Sequence, residues 1–196
     1  MMILAVMRHG QTDYNADKRV QGRIDIPLNT AGRKQAKNVA NRLKALDERF
    51  DVIAASPLSR ALESAYIIAR TLGYDRSIVI SHGFIERNFH RFDGMPVEDA
   101  MPFVRRKGYR HEGYEDDNEL ITRVIRATNE LDQRYRDRRV LMVAHSHVIK
   151  ALLVHSDPES YDFAQIIENG DILFFEVEGA RITYSKRLRI EPSARS

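Results

Sequence analysis

Short apolar runs, each about the length of a strand, alternate along this chain with segments whose apolar residues recur at helical spacing, and few architectures accommodate that alternation. The runs are Met2–Met7, Val52–Ala55, Ile78–Ser81, Val140–Ala144 and Ile172–Val177, with a last one at Arg181–Lys186. Between them Ala36, Val39, Ala40, Leu43 and Leu46 share one helical face, and Leu58, Ala61, Leu62, Ala65, Ala69 and Leu72 share another. Strands separated by helices pair in parallel, because the chain must cross back over the sheet before pairing again. The pattern predicts an α/β protein, a three-layer α/β/α sandwich with a mostly parallel central sheet. Glu178-Gly179-Ala180 turns the last two runs into a hairpin, so one edge of the sheet is expected to be mixed.

Glu115–Arg139 reads as a further helix, with Leu120, Val124, Leu131 and Tyr135 on one face. Its acidic start and basic end match the helix dipole. Residues 84–118 read differently, because Gly94, Pro96, Pro102, Gly108 and Gly113 interrupt a run of aromatic and basic residues. A stretch of that length in a compact protein is expected to form a lid or binding surface, partly helical and partly loop. The tail Glu191–Ser196 is expected to fray. With no repeat or linker, and 43% hydrophobic residues in 196, residues 1–196 are expected to form one domain around one core.

The chain has no cysteine, which excludes disulfides, thiolate metal sites and a cysteine nucleophile. A net charge of +3, with both signs mixed along the chain, leans toward anionic ligands without forming the basic blocks of a nucleic-acid binder. The opening Met1–Met7 is shorter than a signal peptide's apolar region and lacks its basic start. No segment approaches the roughly 18 apolar residues of a membrane span. A soluble, cytoplasmic protein without nucleic-acid or membrane partners is therefore expected.

In open α/β sheets ligands bind beyond the carboxyl ends of the strands. Arg8-His9-Gly10 follows the first run, and Ser56-Pro57-Leu58-Ser59-Arg60 follows the second. There Ser56 reads as a helix cap and Pro57 as the first helical residue, which puts Arg60 in the first turn. Val140–Ala144 is followed by His145, and Ile78–Ser81, after a short loop, by Glu86. Two histidines, two arginines and a carboxylate thus meet at one rim. Taken singly each is ordinary, and the convergence carries the inference.

Those residue types suit phosphoryl transfer. A neutral imidazole attacks phosphorus and splits one displacement into two. Arginine binds phosphate oxygens in a bidentate fork, and its charge keeps a neighbouring histidine unprotonated. A carboxyl group beside a phosphate dianion holds its proton more tightly and can hand it to a leaving alkoxide, for which Glu86 is the candidate. His145 then donates a hydrogen bond to the charge building on the phosphoryl oxygens. No metal or cofactor is called for. The spacing of His145 and His147 occurs in metal sites, but no third ligand follows at a recognisable interval.

These residues resemble the histidine phosphatase superfamily, also called the phosphoglycerate mutase-like family, over most of the chain. The resemblance runs from Arg8-His9-Gly10-Gln11-Thr12 through Asn15, Arg19, Gln21-Gly22, Asp25, Pro27-Leu28, Gly32 and Gln35-Ala36. It continues in Ser56–Ala61, in Glu86 with Phe89 and Gly94, and in Val143-Ala144-His145 with Val148-Ile149. It implies that His9 is the phosphorylated nucleophile, that Arg8, Arg60 and His145 clamp the phosphoryl group, and that Glu86 is the proton donor. Asn15 is implied as a further phosphate contact, and Gln21, Gly22 and Ser146 as residues beside the substrate. Two departures stand out. Ser146-His147 replaces a pair of small residues common after the second histidine, and His90 stands where a glycine is frequent.

The same site can release phosphate to water or pass it to another hydroxyl. The family's mutases are longer, and Glu86-Arg87-Asn88-Phe89-His90 lacks the Arg-His-Tyr-Gly that commonly follows the acid in them. Hydrolysis of phosphate monoesters of small metabolites is therefore expected, with mutase-type transfer or a catalytically inactive phospho-ligand-binding module as the alternatives. Arg87, Arg91, Arg105, Arg106, Lys107 and Arg110 either attract an acidic metabolite or form a solvated face. Phe89, Phe92, Phe103 and Tyr109 either line a pocket or pack residues 84–118 onto the body. The substrate's identity and the assembly, for which a homodimer is compatible, are left open.

Overall fold

The computed structural model describes residues 1–106 and 108–189. Among them six strands form one sheet: β1 (Met2–Arg8), β2 (Val52–Ala55), β3 (Val79–Ile80), β4 (Arg139–Ala144), β5 (Ile172–Glu178) and β6 (Arg181–Leu188). The helices are α1 (Asp13–Ala16), α2 (Thr30–Ala45), α3 (Ser59–Leu72), α4 (Val97–Val104), α5 (Asp117–Arg134) and α6 (Ser146–Ser156). The strand order is β3-β2-β4-β1-β5-β6. The first four strands pair in parallel, whereas β5 runs antiparallel to β1 and β6 antiparallel to β5. The expected hairpin closes one edge, and the sheet is already mixed at β1/β5.

Alternation along β1 assigns its side chains to two cores. Met2, Leu4 and Val6 pack with Leu120, Val124, Val148 and Leu152 of α5 and α6. Ala5 and Met7 pack on the other face with Val39, Leu43, Ala65 and Ile68 of α2 and α3. The central strands are buried on both faces, which is why they read as continuous apolar runs rather than alternating ones. These are the three layers expected from the sequence.

Several expectations need correction. The helix predicted over Glu115–Arg139 spans Asp117–Arg134, because Asp116 and Glu119 form a capping box at its start and the chain leaves the helix at Tyr135 to enter β4 at Arg139. Leu46 and Leu62, assigned to buried helix faces, are 44% and 37% exposed. Leu46 lies beyond the last turn of α2, and the packed stripe of α3 is Ala61, Ala65, Ile68 and Ala69. The third run contracts to Val79–Ile80, an edge strand paired on one side only. Lys107 and the tail Glu191–Ser196 lie outside the described residues.

Residues 84–118 are more structured than their glycines and prolines suggest. They contain a 3-10 turn at His90–Phe92, and α4 follows; Phe89, Phe92, Ala100, Val104 and Tyr114 form a third apolar cluster with Val20. Phe89 and Phe92 thus pack this segment, whereas Phe103 is 47% exposed. Among the described residues no helix is long and apolar enough to cross a membrane.

Candidate active site

The rim at the carboxyl ends of β1, β2 and β4 collects the predicted residues. His9 follows β1 directly and is buried; its Nδ1 lies 2.7 Å from the carbonyl oxygen of Gly10. A carbonyl only accepts, so the ring proton sits on Nδ1 and Nε2 keeps a free lone pair. Burial pushes the His9 pKa well below the ordinary histidine value, and the charges of Arg60 and Arg8 push it further. The turn at Gly10 is tight: a side chain there would collide with the backbone of Gly32, at the start of α2. The Gly10 N–H instead donates to Ser64 Oγ at 3.1 Å.

Arg60 is 1% exposed and donates through its two terminal nitrogens to the carbonyls of Ile24 and Gly22, each at 2.7 Å. Burial lowers its pKa to about 10 against the field of Glu86. Arg8 donates to the carbonyl of Ile167, and burial lowers its pKa too. The Nε atoms of both arginines are buried and have no partner among the described residues. So is Nδ1 of His145, whose ring centroid lies 5.2 Å from that of His9. Three orphaned nitrogens within one cationic rim form an anion-binding arrangement in search of acceptors.

Ser56 does not cap α3, as the sequence suggested. The helix begins after Leu58, and Ser59 N and Oγ both donate to Asp25 Oδ1 at 2.8 Å. Ser56 is fully buried and its hydroxyl instead lies 2.7 Å from His145 Nε2. That role is invisible in sequence, since the two residues are 89 positions apart.

Glu86 is 8% exposed, with Oε1 accepting the Arg87 N–H at 2.9 Å and Oε2 lying 3.5 Å from the His147 N–H at the start of α6. Its loop is held from α5: Arg123 donates to the carbonyls of Gly83 and Ile85 at 2.8 and 2.9 Å and pairs with Glu115 at 2.7 Å. Arg87, one of the six basic residues considered for substrate, is fully buried and tied to Tyr114 and Asp117. Arg91, Arg105, Arg106 and Arg110 remain exposed.

The residues implied as substrate contacts each have a defined local setting. Asn15 Oδ1 accepts from Thr12 N at 3.2 Å in a capping box at the start of α1. Gln21 accepts from Thr12 Oγ1 at 2.8 Å, and Ser146 is the half-buried first residue of α6. Gly22 has a φ of +50° and sits under the carboxyl of Asp93, which would have to move to admit a side chain there. Burial raises the Asp93 pKa to about 6. His90 has a φ of +52°, which is the conformational reason a glycine would be at home there.

Sequence reasoning missed Asn169, whose amide donates to the His9 carbonyl at 2.9 Å and reaches Asn15 Oδ1 at 3.3 Å. It precedes β5. Because β5 is antiparallel to β1, the residues before it lie beside the end of β1, where a search confined to strand ends does not look. The turn residues Asn169-Gly170-Asp171 were the available signal. Lys150 on α6 was also missed, whereas His147 was marked in the sequence as a departure beside the second histidine; both are buried. Among the described residues no three histidine, aspartate or glutamate side chains group as a metal site.

Known proteins resemble this chain along nearly its whole length. It is 37% identical over 165 residues to an uncharacterized phosphatase, PhoE, of Bacillus subtilis (strain 168), covering 81% of each chain. It is 31% identical over 166 residues to phosphoserine phosphatase 1 of Hydrogenobacter thermophilus, covering 78% of this chain and 74% of the other. A crystal structure of phosphoserine phosphatase from Entamoeba histolytica, in complex with 3-phosphoglyceric acid, superposes with a TM-score of 0.82 at 24% identity, covering 97% and 98% of the two chains. At that identity the likeness shows the fold. The model of the histidine phosphatase superfamily (branch 1) matches residues 4–186, and the chain belongs to that family of enzymes.

Proposed function

We propose that this enzyme is a metal-independent phosphatase that hydrolyses phosphate monoesters of small metabolites through a phosphohistidine on His9. The observation that carries the reading is the free Nε2 of His9, set beside three buried nitrogens without partners on Arg8, Arg60 and His145. In the first step Nε2 attacks phosphorus and the bond to the ester oxygen breaks. The Glu86 carboxyl gives its proton to that oxygen, and the alcohol leaves. In the second step water attacks phosphorus and the P–N bond breaks. The Glu86 carboxylate takes the water proton, and inorganic phosphate departs.

The two arginines and His145 bind the equatorial oxygens, where charge builds in both steps. For His145 this needs the proton on Nδ1. The Ser56 hydroxyl supports that tautomer, because its oxygen already faces the Leu58 N–H at 3.4 Å and its hydrogen has no acceptor other than His145 Nε2 among the described residues. Asn15, Gln21, Gly22 and Ser146 border the bound ester. Residues 84–118 act as the lid that supplies Glu86 and limits which esters enter.

The test is hydrolysis of p-nitrophenyl phosphate by the wild type and by His9→Ala, together with trapping of acid-labile phosphoprotein from a labelled ester. Loss of both signals in the variant is expected; hydrolysis that survives His9→Ala would overturn the assignment. Interconversion of 2- and 3-phosphoglycerate faster than release of inorganic phosphate would overturn the choice of hydrolysis over transfer.

A further inference from the structure

The side chain of Asn169 completes the strand ladder around the nucleophile. Main-chain bonds from Arg8 N to Asp171 O at 2.9 Å and from Gly170 N to Arg8 O at 3.0 Å carry the β1/β5 pairing past its last strand pair, Met7 and Ile172. The next rung belongs to His9, whose N–H donates to Ala144 O of β4 at 3.1 Å. Its carbonyl receives no main-chain N–H among the described residues, and the Asn169 amide nitrogen supplies the bond instead, at 2.9 Å. The main chain of His9 is thus held on its β4 side and on its β5 side. The same Asn169 nitrogen reaches Asn15 Oδ1 at 3.3 Å.

Main-chain groups dictate the orientation of both amides. A carbonyl only accepts, so Asn169 turns its nitrogen to His9; a main-chain N–H only donates, so Asn15 turns its oxygen to Thr12 N. Asn15 Oδ1 therefore takes two donors, Thr12 N at 3.2 Å and Asn169 Nδ2 at 3.3 Å. The Asn15 NH2 is left as the free end, with no acceptor among the described residues. The flipped amide would present oxygen to a phosphoryl dianion and repel it. Donation into the Asn15 oxygen also polarises that amide, which strengthens its NH2 as a donor. Resting on the phosphatase reading, in which Asn15 contacts the phosphoryl group, we propose that Asn169 is a positioning residue whose one amide nitrogen fixes both the His9 main chain and the donor orientation of Asn15. It holds the nucleophile and a phosphate contact in one frame, and acts through those two residues alone.

The test is a double-mutant cycle over Asn15→Ala and Asn169→Ala, read as kcat/KM on p-nitrophenyl phosphate and as the calorimetric Kd of inorganic phosphate. Asn169→Ala removes two neutral hydrogen bonds and should lower kcat/KM about 5- to 100-fold. The His9 half of that loss should fall on kcat, and the Asn15 half on phosphate affinity. In the Asn15→Ala background the bond between the two amides is already gone, so the double variant should lose about 2- to 10-fold less than the product of the single losses. Asn169→Asp keeps the shape of the side chain, turns an oxygen toward both acceptors and should lose at least as much; it carries the cycle if the alanine variant does not fold. Losses that simply multiply in both measurements would assign Asn169 to stability alone and overturn the proposal, as would an Asn169→Ala enzyme within twofold of wild type in both. Coupling in phosphate affinity with no ester hydrolysed upholds the positioning role and defeats the phosphatase reading; hydrolysis through His9 without coupling does the reverse.

Discussion

Ser56→Ala isolates the contribution of a hydroxyl that touches no reacting atom. Ser56 and His145 are both fully buried and their polar atoms lie 2.7 Å apart, so water cannot replace the lost group without opening the core. In the variant the tautomer with its proton on Nδ1 has a buried Nε2 lone pair without a donor. The other tautomer turns a lone pair toward the phosphoryl oxygens. Either way the transition state loses about 1–3 kcal/mol, the cost of one unsatisfied buried polar atom, so kcat/KM should fall about 5- to 150-fold. Stability should fall by only about 1 kcal/mol, a shift of about 2–4 °C in Tm for a chain of this size. The assay is kcat/KM on p-nitrophenyl phosphate with a thermal melt, and nitrogen-15 NMR of the histidine rings to locate the proton. A folded variant within twofold of wild type, or a wild-type His145 protonated on Nε2, would refute the reasoning.

Lys150→Met should stabilise the protein at pH 7. Burial lowers the Lys150 pKa from 10.5 to about 8, so the folded state sheds this proton before the unfolded state does. Retaining the charge below pH 8 therefore costs on the order of 3 kcal/mol, and losing the bond to Phe163 returns about 1, for a net gain of about 2 kcal/mol that shrinks between pH 8 and 10.5. Urea unfolding at pH 7 measures it, and a less stable variant would contradict the account. The pKa values of His9, His145 and His147 are all held well below the ordinary value, chiefly by burial, so each takes up its proton only on unfolding. Stability should therefore fall as pH drops below 6.5, by up to about 4 kcal/mol per unit. Below pH 6 Asp93, whose raised pKa makes the folded state bind a proton first, offsets part of this and leaves about 3 kcal/mol per unit. A urea midpoint unchanged between pH 7 and 5 would refute it. Gly22→Ala places a methyl group against the Asp93 carboxyl at a φ of +50°, and should cost about 1–3 kcal/mol in a thermal melt; an unaltered Tm would show that the loop yields.

Much of the site was legible because its chemistry sits at the ends of apolar runs. His9, Arg60 and His145 follow β1, β2 and β4, and parallel pairing brings those ends to one rim whatever the loops do. Glu86 was legible only as a carboxylate after a short loop. Its position depends on Arg123, in a helix that packs from the far side. Sequence also marked His90 as unusual, and the positive φ gives the reason. Ser56 was misread as a cap because Ser-Pro after a strand has that meaning locally, and local pattern carries no information about a histidine that pairs across the sheet.

The sequence by itself determined the layers, the strands and the identity of the groups at the rim, because burial on two faces and helical periodicity are properties of neighbouring residues. Only the tertiary structure decided the antiparallel entry of β5 beside β1, which brings Asn169 to the His9 carbonyl. It alone also buried the ammonium of Lys150 against the Phe163 carbonyl, without an ion-pair partner among the described residues. Hydrogen-bond partners and counter-charges of buried groups are set by contacts between residues far apart in the chain, and those exist only once the layers have packed.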